Sequence, residues 1–191
     1  MKIPRSQGFS LVELMIAIAI AALLLVMGIP SFTTMIQNSK LRSAAENCLA
    51  GLQRARAEAL QNNSDVEFLL TDDAPIAANV AAFNPNETGG NWVIRTADMS
   101  DFIEGHAGIE GSGQTSASNV AVTGNGIASI VFNGLGRTNL AATATFGFTN
   151  PAGGACAPAG AMRCLNVLVS VGGQIRLCDP AATGTGDTRG C

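Results

Sequence analysis

The chain has 191 residues, a formal charge of −3, only 13% charged residues, 22 glycines and no tyrosine. That length holds one ordinary domain beside a membrane segment. Sparse charge fits an extracytoplasmic surface better than a cytosolic enzyme, and no global basic field exists to draw in nucleic acid.

In chain order, Lys2 and Arg5 precede Gly8, and an apolar run over residues 9–29 then carries a single acid, Glu13. At roughly 20 residues and about 1.5 Å each, the run just crosses a hydrocarbon layer of ~30 Å. A carboxylate at mid-bilayer costs about 2.5–3.5 kcal/mol, and less near the interface, so Glu13 calls for a compensating partner. The leader cations place the start on the cytoplasmic side, with the remainder outside. An ordinary signal peptide is cut after its apolar stretch. A cut at Gly8 would instead leave the stretch on the mature chain. The physics alone also allows a simple N-terminal anchor.

Pro30 cannot donate its amide, so a helix passing through it should bend. Helical spacing then resumes, with Leu41, Ala45, Cys48, Leu52, Ala55 and Ala59 forming an apolar stripe. Arg42–Glu46 and Arg54–Glu58 are i, i+4 pairs on its outer faces. Asn62, Asn63 and Ser64 end it, which predicts one helix over about 9–62. Cys48 lies on the buried stripe and reads as an inert core thiol.

From Val66 the period changes. Residues 66–70, 92–96, 120–123, 127–132, 143–148, 165–171 and 174–178 read as short strands. The last two form a hairpin candidate around a two-residue Gly172-Gly173 turn. Two polar stretches, 71–91 and about 98–119, read as loops, with 104–119 a mobile surface loop.

Five cysteines are present: Cys48, Cys156, Cys164, Cys178 and Cys191. None forms a Cys-x-x-Cys pair, so a metal is not expected. Beside a membrane-targeting start, two disulfides in an oxidising compartment are expected. Three pairings are open among the last four. Cys156–Cys164 with Cys178–Cys191 is favoured because both close short Gly-, Pro- and Ala-rich loops, and Cys156–Cys178 with Cys164–Cys191 remains the alternative. Each bridge adds around 2–3 kcal/mol by restricting the unfolded chain.

Gly8-Phe9-Ser10-Leu11-Val12-Glu13, followed directly by the apolar run, closely resembles the class III signal of type IV pilins and pseudopilins. The resemblance implies that a prepilin peptidase cuts after Gly8 and methylates Phe9. It also implies that Glu13 pairs with the N-terminal amine of a neighbouring subunit. A carboxylate in lipid that gains a cation on assembly agrees with this. Trp92-Val93-Ile94, residues 130–137, residues 175–180 and Arg189-Gly190-Cys191 extend the likeness to the GspH/FimT family of minor pilins and pseudopilins.

That resemblance implies an α+β fold, with a long N-terminal helix packed on an antiparallel β-sheet head. The implied segments are a leader over 1–8, a transmembrane or filament-core helix over 9–30, and a head over 31–191. The expected function is a non-enzymatic subunit that primes or tips a type IV pilus. A minor pseudopilin of type II secretion is the alternative, and the C-terminal cysteine pair favours the pilus branch. Expected partners are prepilin peptidase, other pilins or pseudopilins, an inner-membrane assembly platform, and lipid before assembly. No cofactor is implied. The expected location is the bacterial inner membrane, single-pass with the head in the periplasm, and then the filament.

Some pilus-branch members bind DNA through a C-terminal Gly-Arg-x-Arg motif. Gly173 and Arg176 match it, but Gln174 stands where the motif has its first Arg, which removes one phosphate-pairing cation. A Cys178–Cys191 bridge would bring Arg189 near Arg176, though Asp179 and Asp187 share that loop. Solvated charges bracing a crosslinked tail are the favoured reading, with DNA as a further possible partner.

No catalytic residue emerges. His106 is the only histidine and sits in a Gly-rich stretch, so no His-based triad can be built. Asp72-Asp73 reads as a turn, as does Gly134-Leu135-Gly136, which lacks the rest of a nucleotide-binding fingerprint. There is no Walker motif, so any ATP-driven work belongs to a partner.

Overall fold

The computed structural model describes residues 10–107, 120–184 and 186–191, with the backbone alone at 26–31. Contacts divide the chain into two units, Met1–Ile36 and Gln37–Cys191. Gly8 and Phe9 lie outside the described residues.

Helix α1 (Leu11–Asn62) is continuous in backbone assignment through Pro30. It stops in a Schellman arrangement: Asn63 takes a left-handed φ of 47° and the Ser64 N–H donates to the Ala59 carbonyl at 3.2 Å. In the first unit, Leu11, Leu14, Ile18 and Leu25 are all well exposed. Among the described residues no helix is long and apolar enough to cross a membrane. In the sequence, the apolar run continues past Leu25 through Val26, Met27 and Ile29.

In the second unit every member of the Leu41, Ala45, Cys48, Leu52, Ala55, Ala59 stripe is buried. The small residues permit a close approach: a Cβ on Gly51 would stand 3.1 Å from both the Phe68 and Trp92 rings. The i, i+4 pairs also form, Arg42 to Glu46 and Arg54 to Glu58, each at 2.7 Å.

The strands are β1 (Val66–Thr71), β2 (Asn91–Thr96), β3 (Phe102–His106), β4 (Ala121–Thr123), β5 (Ser129–Phe132), β6 (Ala144–Thr149), β7 (Leu165–Val169) and β8 (Ile175–Cys178). They form two four-stranded antiparallel sheets, ordered β3-β2-β1-β5 and β4-β6-β7-β8. The expected α+β fold is therefore present, with the antiparallel strands of the head divided between two sheets. Phe68 of the first sheet meets Phe146 of the second edge-on at 6.1 Å, and both belong to the core that the helix stripe covers.

Strand β3 corrects the reading of residues 98–119 as an uninterrupted loop. Bonded to β2 with an irregularity between Ile94 and Arg95, Phe102–His106 is an edge strand. Residues 108–119 lie outside the described residues. The 71–91 loop is also more than a connector. Phe83 from it packs with Leu69 and Val93 in a second small core on the other face of the first sheet. Arg95, 4% exposed, donates to Glu67 at 2.8 Å and to the Val80 carbonyl at 2.7 Å, tying the loop down.

The β7–β8 connection differs from a two-residue turn. Gly173 N–H donates to the Ser170 carbonyl and Ser170 N–H to the Gln174 carbonyl, which makes a three-residue loop, Val171-Gly172-Gly173, with Gly173 in the bulge at φ 80°. The loop after β5 repeats the pattern: Gly136 N–H donates to Asn133, Asn133 N–H to Arg137, and Gly136 has φ 74°.

Candidate functional site

Two stretches were singled out by sequence, and they sit in different units. In the first unit Glu13 occupies the first turn of α1, where its N–H donates to the Ser10 hydroxyl oxygen at 3.2 Å. A negative side chain is favourable at a helix N-terminus. The surrounding Leu11, Val12, Leu14, Met15 and Ile16 are all more than half exposed. A helix surface that is apolar on every side needs lipid or neighbouring helices around it.

In the second unit the tail is crosslinked by Cys178–Cys191, and Cys156–Cys164 closes a second loop. The Cys156–Cys164 loop is fastened to the helix by Asn38. The Asn38 Nδ2 donates to the Ala161 carbonyl at 3.3 Å, and the Arg163 N–H donates to Asn38 Oδ1 at 2.8 Å. Cys48 is the free cysteine, and burial pushes its thiol up to about 12.

Arg176 and Arg189 are both engaged within the tail. Arg176 donates to the main-chain oxygens of Gly190 and Cys191, each at 3.1 Å. Arg189 grips Asp187 through two nitrogens at 3.0 and 2.8 Å. Hydrogen bonds from Arg189, helped by its charge, hold the Asp187 carboxyl down at about 2. Gly173 does not join these arginines in a common site. A Cβ there would lie 1.9 Å from the Gly136 carbonyl oxygen, so its role is to let the two bulged loops touch.

The chemistry set aside from sequence stays dispersed. Asp73 accepts from the Asn84 N–H at 2.8 Å, which with side-chain bonds holds its carboxyl below the ordinary value, and Asp72 accepts from Gly90. These bonds order the loop. His106 stacks on Trp92 with ring centres 5.5 Å apart. Among the described residues no cluster of His, Cys, Asp or Glu could hold a metal ion.

Sequence reading missed a cleft in the second unit, about 580 Å³, between α1, the start of β7, the end of β8 and the tail. Arg42, Arg163 and Arg189 line it above Leu165 and Leu177. These residues are 147 positions apart in the chain from first to last, so no local motif announces them.

A model described as the type II transport protein GspH matches residues 44–173, and one described as the prokaryotic N-terminal methylation motif matches residues 3–29. The chain belongs to the GspH family. The family match covers the helix stripe from Ala45 on, most of both sheets and the two bulged loops. The methylation motif covers the opening run with Gly8, Phe9 and Glu13, and it implies processing by a prepilin peptidase and assembly with other pilins. Members of this family are pilin structural subunits, anchored through the N-terminal helix and assembled into a pilus or pseudopilus.

The fold is similar to that of the type IV minor pilin FimU from Pseudomonas aeruginosa in two crystal forms. One gives a TM-score of 0.56 at 19% identity, covering 78% of this chain and 94% of that one. The other gives 0.52 at 17% identity, covering 76% and 97%. No curated protein matches this GspH-family chain.

Proposed function

We propose that the chain is a minor pilin: a non-enzymatic subunit that primes or tips a type IV pilus. Prepilin peptidase cuts after Gly8 and methylates Phe9. The mature chain then waits in the inner membrane as a single-pass protein, with its head in the periplasm, until the assembly platform adds it to other pilins. Glu13 pairs with the N-terminal amine of a neighbour. The observation that carries this reading is the opening of α1, apolar on all sides with one acid in its first turn. Such a surface is satisfied by lipid before assembly and by packed helices after it, and only assembly supplies the cation.

The Gly8→Val variant tests the processing step. The uncut chain should accumulate in the membrane and be missing from sheared filaments. Filaments that contain it at the parental level would contradict the reading.

Type II secretion is the second reading, favoured by the description of the family model itself. A deletion strain decides between the two: loss of piliation with secretion intact supports the pilus, and the converse supports the pseudopilus. DNA binding has no such support, because Arg176 and Arg189 are each engaged within the tail.

A further inference from the structure

An outer strand leaves a row of backbone donors and acceptors unpaired, and proteins usually cover such an edge. The outer edge of β5 is taken up by Asn139. Its side-chain oxygen accepts from the Val131 N–H at 3.0 Å, and its own N–H donates to the Val131 carbonyl at 3.0 Å. Strand β4 is three residues long and is followed by Gly124, whose N–H donates to the Glu87 carbonyl at 2.7 Å. The edge of β8, the outer strand of the second sheet, is left open. The Ser170 N–H donates to the Gln174 carbonyl, so that carbonyl points inward, at β7. Along a strand, successive residues alternate the side to which their N–H and C=O point. Arg176 and Cys178 therefore pair inward with Leu168 and Asn166, while Ile175, Leu177 and Asp179 point out. Asp179 agrees with this register, its N–H donating to the Arg189 carbonyl at 2.7 Å, where the tail closes the edge. Among the described residues, the main-chain N–H and C=O groups of Ile175 and Leu177 have no partner.

This open stretch borders the cleft. Leu177 lies opposite Val167 and Ile175 opposite Val169, so both share the face that carries the buried core of the second sheet. Leu177 and Leu165 are only half buried and form the floor of the cleft. The core face is thus left partly uncovered at the β8 edge. The charges around it cancel. Arg42 is held by Glu46 at 2.7 Å and Arg189 by Asp187 at 2.8 Å, and the other charged lining residues are Arg163 and Asp179, one of each sign. Charge therefore selects neither an acidic nor a basic occupant. What the site offers is an apolar floor beside backbone donors and acceptors, and that combination fits an uncharged extended strand.

We propose that β8 is a site of strand addition, at which an uncharged, extended segment of a different protein pairs with the outer edge of Ile175 and Leu177. Segment residues opposite these two turn their side chains to the core face. One apolar side chain then fills the cleft over Leu165 and Leu177, and a second, two positions along, lies beside Ile175. The tail at Asp179 ends the slot. The segment is recognised as apolar-x-apolar, with main-chain hydrogen bonds supplying affinity and the cleft supplying specificity. The site requires nothing of the filament-subunit reading.

The probe is the neutral peptide acetyl-Ser-Val-Ser-Val-Ser-amide, titrated into the full chain in nonionic detergent and followed by amide NMR. It should bind saturably, shift the Ile175 and Leu177 signals and slow their exchange with solvent, with an affinity that salt leaves unchanged. N-methylation of both valines removes the donors that face β8 and should weaken binding at least about tenfold. N-methylation of the central serine, whose N–H points away from β8, should not. Ser39→Trp, which fills the cleft from an exposed position on α1, should also weaken binding at least about tenfold, with circular dichroism unchanged. Absence of saturable binding overturns the proposal. Equal effects of the two methylation patterns would make the cleft an apolar pocket with no strand pairing, and that overturns it too, as do shifts confined to other strands. Concentration-dependent pairing of the chain with itself, abolished by Ser39→Trp, would give the edge to a second copy and overturn the choice of partner.

Discussion

Arg56 reaches from α1 to the carbonyl of Gly136, with Nε donating at 3.2 Å. The same nitrogen would lie 3.3 Å from a Cβ placed on Gly173. Thr138 completes the junction, its N–H donating to the Val171 carbonyl at 3.1 Å and its hydroxyl to those of Ser170 and Val171. One helical side chain thus meets two bulged loops, one after β5 of the first sheet and one between β7 and β8 of the second.

Gly173→Ala is expected to destabilise the head by about 1–3 kcal/mol, because alanine is strained at φ 80° and its Cβ meets the Gly136 oxygen. Gly172→Ala is the control. A Cβ there approaches only the Ser170 hydroxyl, at 3.8 Å, and stability should hardly change. Denaturant melts of the two variants check the pair.

Glu67→Ala should cost roughly 3–5 kcal/mol by leaving Arg95 buried without its carboxylate. Replacing the pair together by Glu67→Leu and Arg95→Met should recover most of the loss. A double-mutant cycle in urea measures it. The same series should show the 71–91 loop loosening by hydrogen exchange at Val80, whose carbonyl Arg95 holds.

Two groups give opposite pH trends. Asp187 is stabilised as a carboxylate, so its contribution is present above the ordinary value of 3.8 and fades as pH falls toward about 2. Arg189→Gln should return the Asp187 midpoint, followed by carboxyl NMR, toward the ordinary range. Cys48 is held neutral, so its contribution is full below 9.0 and declines as pH rises toward about 12. It should resist alkylation at pH 8 until the head unfolds.

Much of the fold was legible because its signals are local and periodic. The α1 stripe from Leu41 to Ala59 repeats at helical spacing, and Asn63 is a residue that tolerates the left-handed cap. Strand β3 was missed because Phe102-Ile103-Glu104-Gly105-His106 is an edge strand with an exposed glutamate and a glycine, and its pairing comes from β2 across a turn. The division into two sheets was hidden for a different reason. It depends on which strand each one pairs with, as when β5 crosses to β1 while β4 pairs β6. Gly173 stood out in the sequence beside arginines, but the reason for it is the Gly136 carbonyl, 37 residues earlier. The cleft under Arg163 likewise needs four separate segments to exist.

The central claim is that Glu13 commits the helix to assembly. Quantitative mass spectrometry of sheared filaments and membranes from a strain carrying Glu13→Ala tests it most directly. The account predicts that the variant is cut after Gly8 and methylated at Phe9 as usual, yet falls more than about tenfold in the filament fraction. Incorporation of the processed Glu13→Ala chain at the parental level would contradict it.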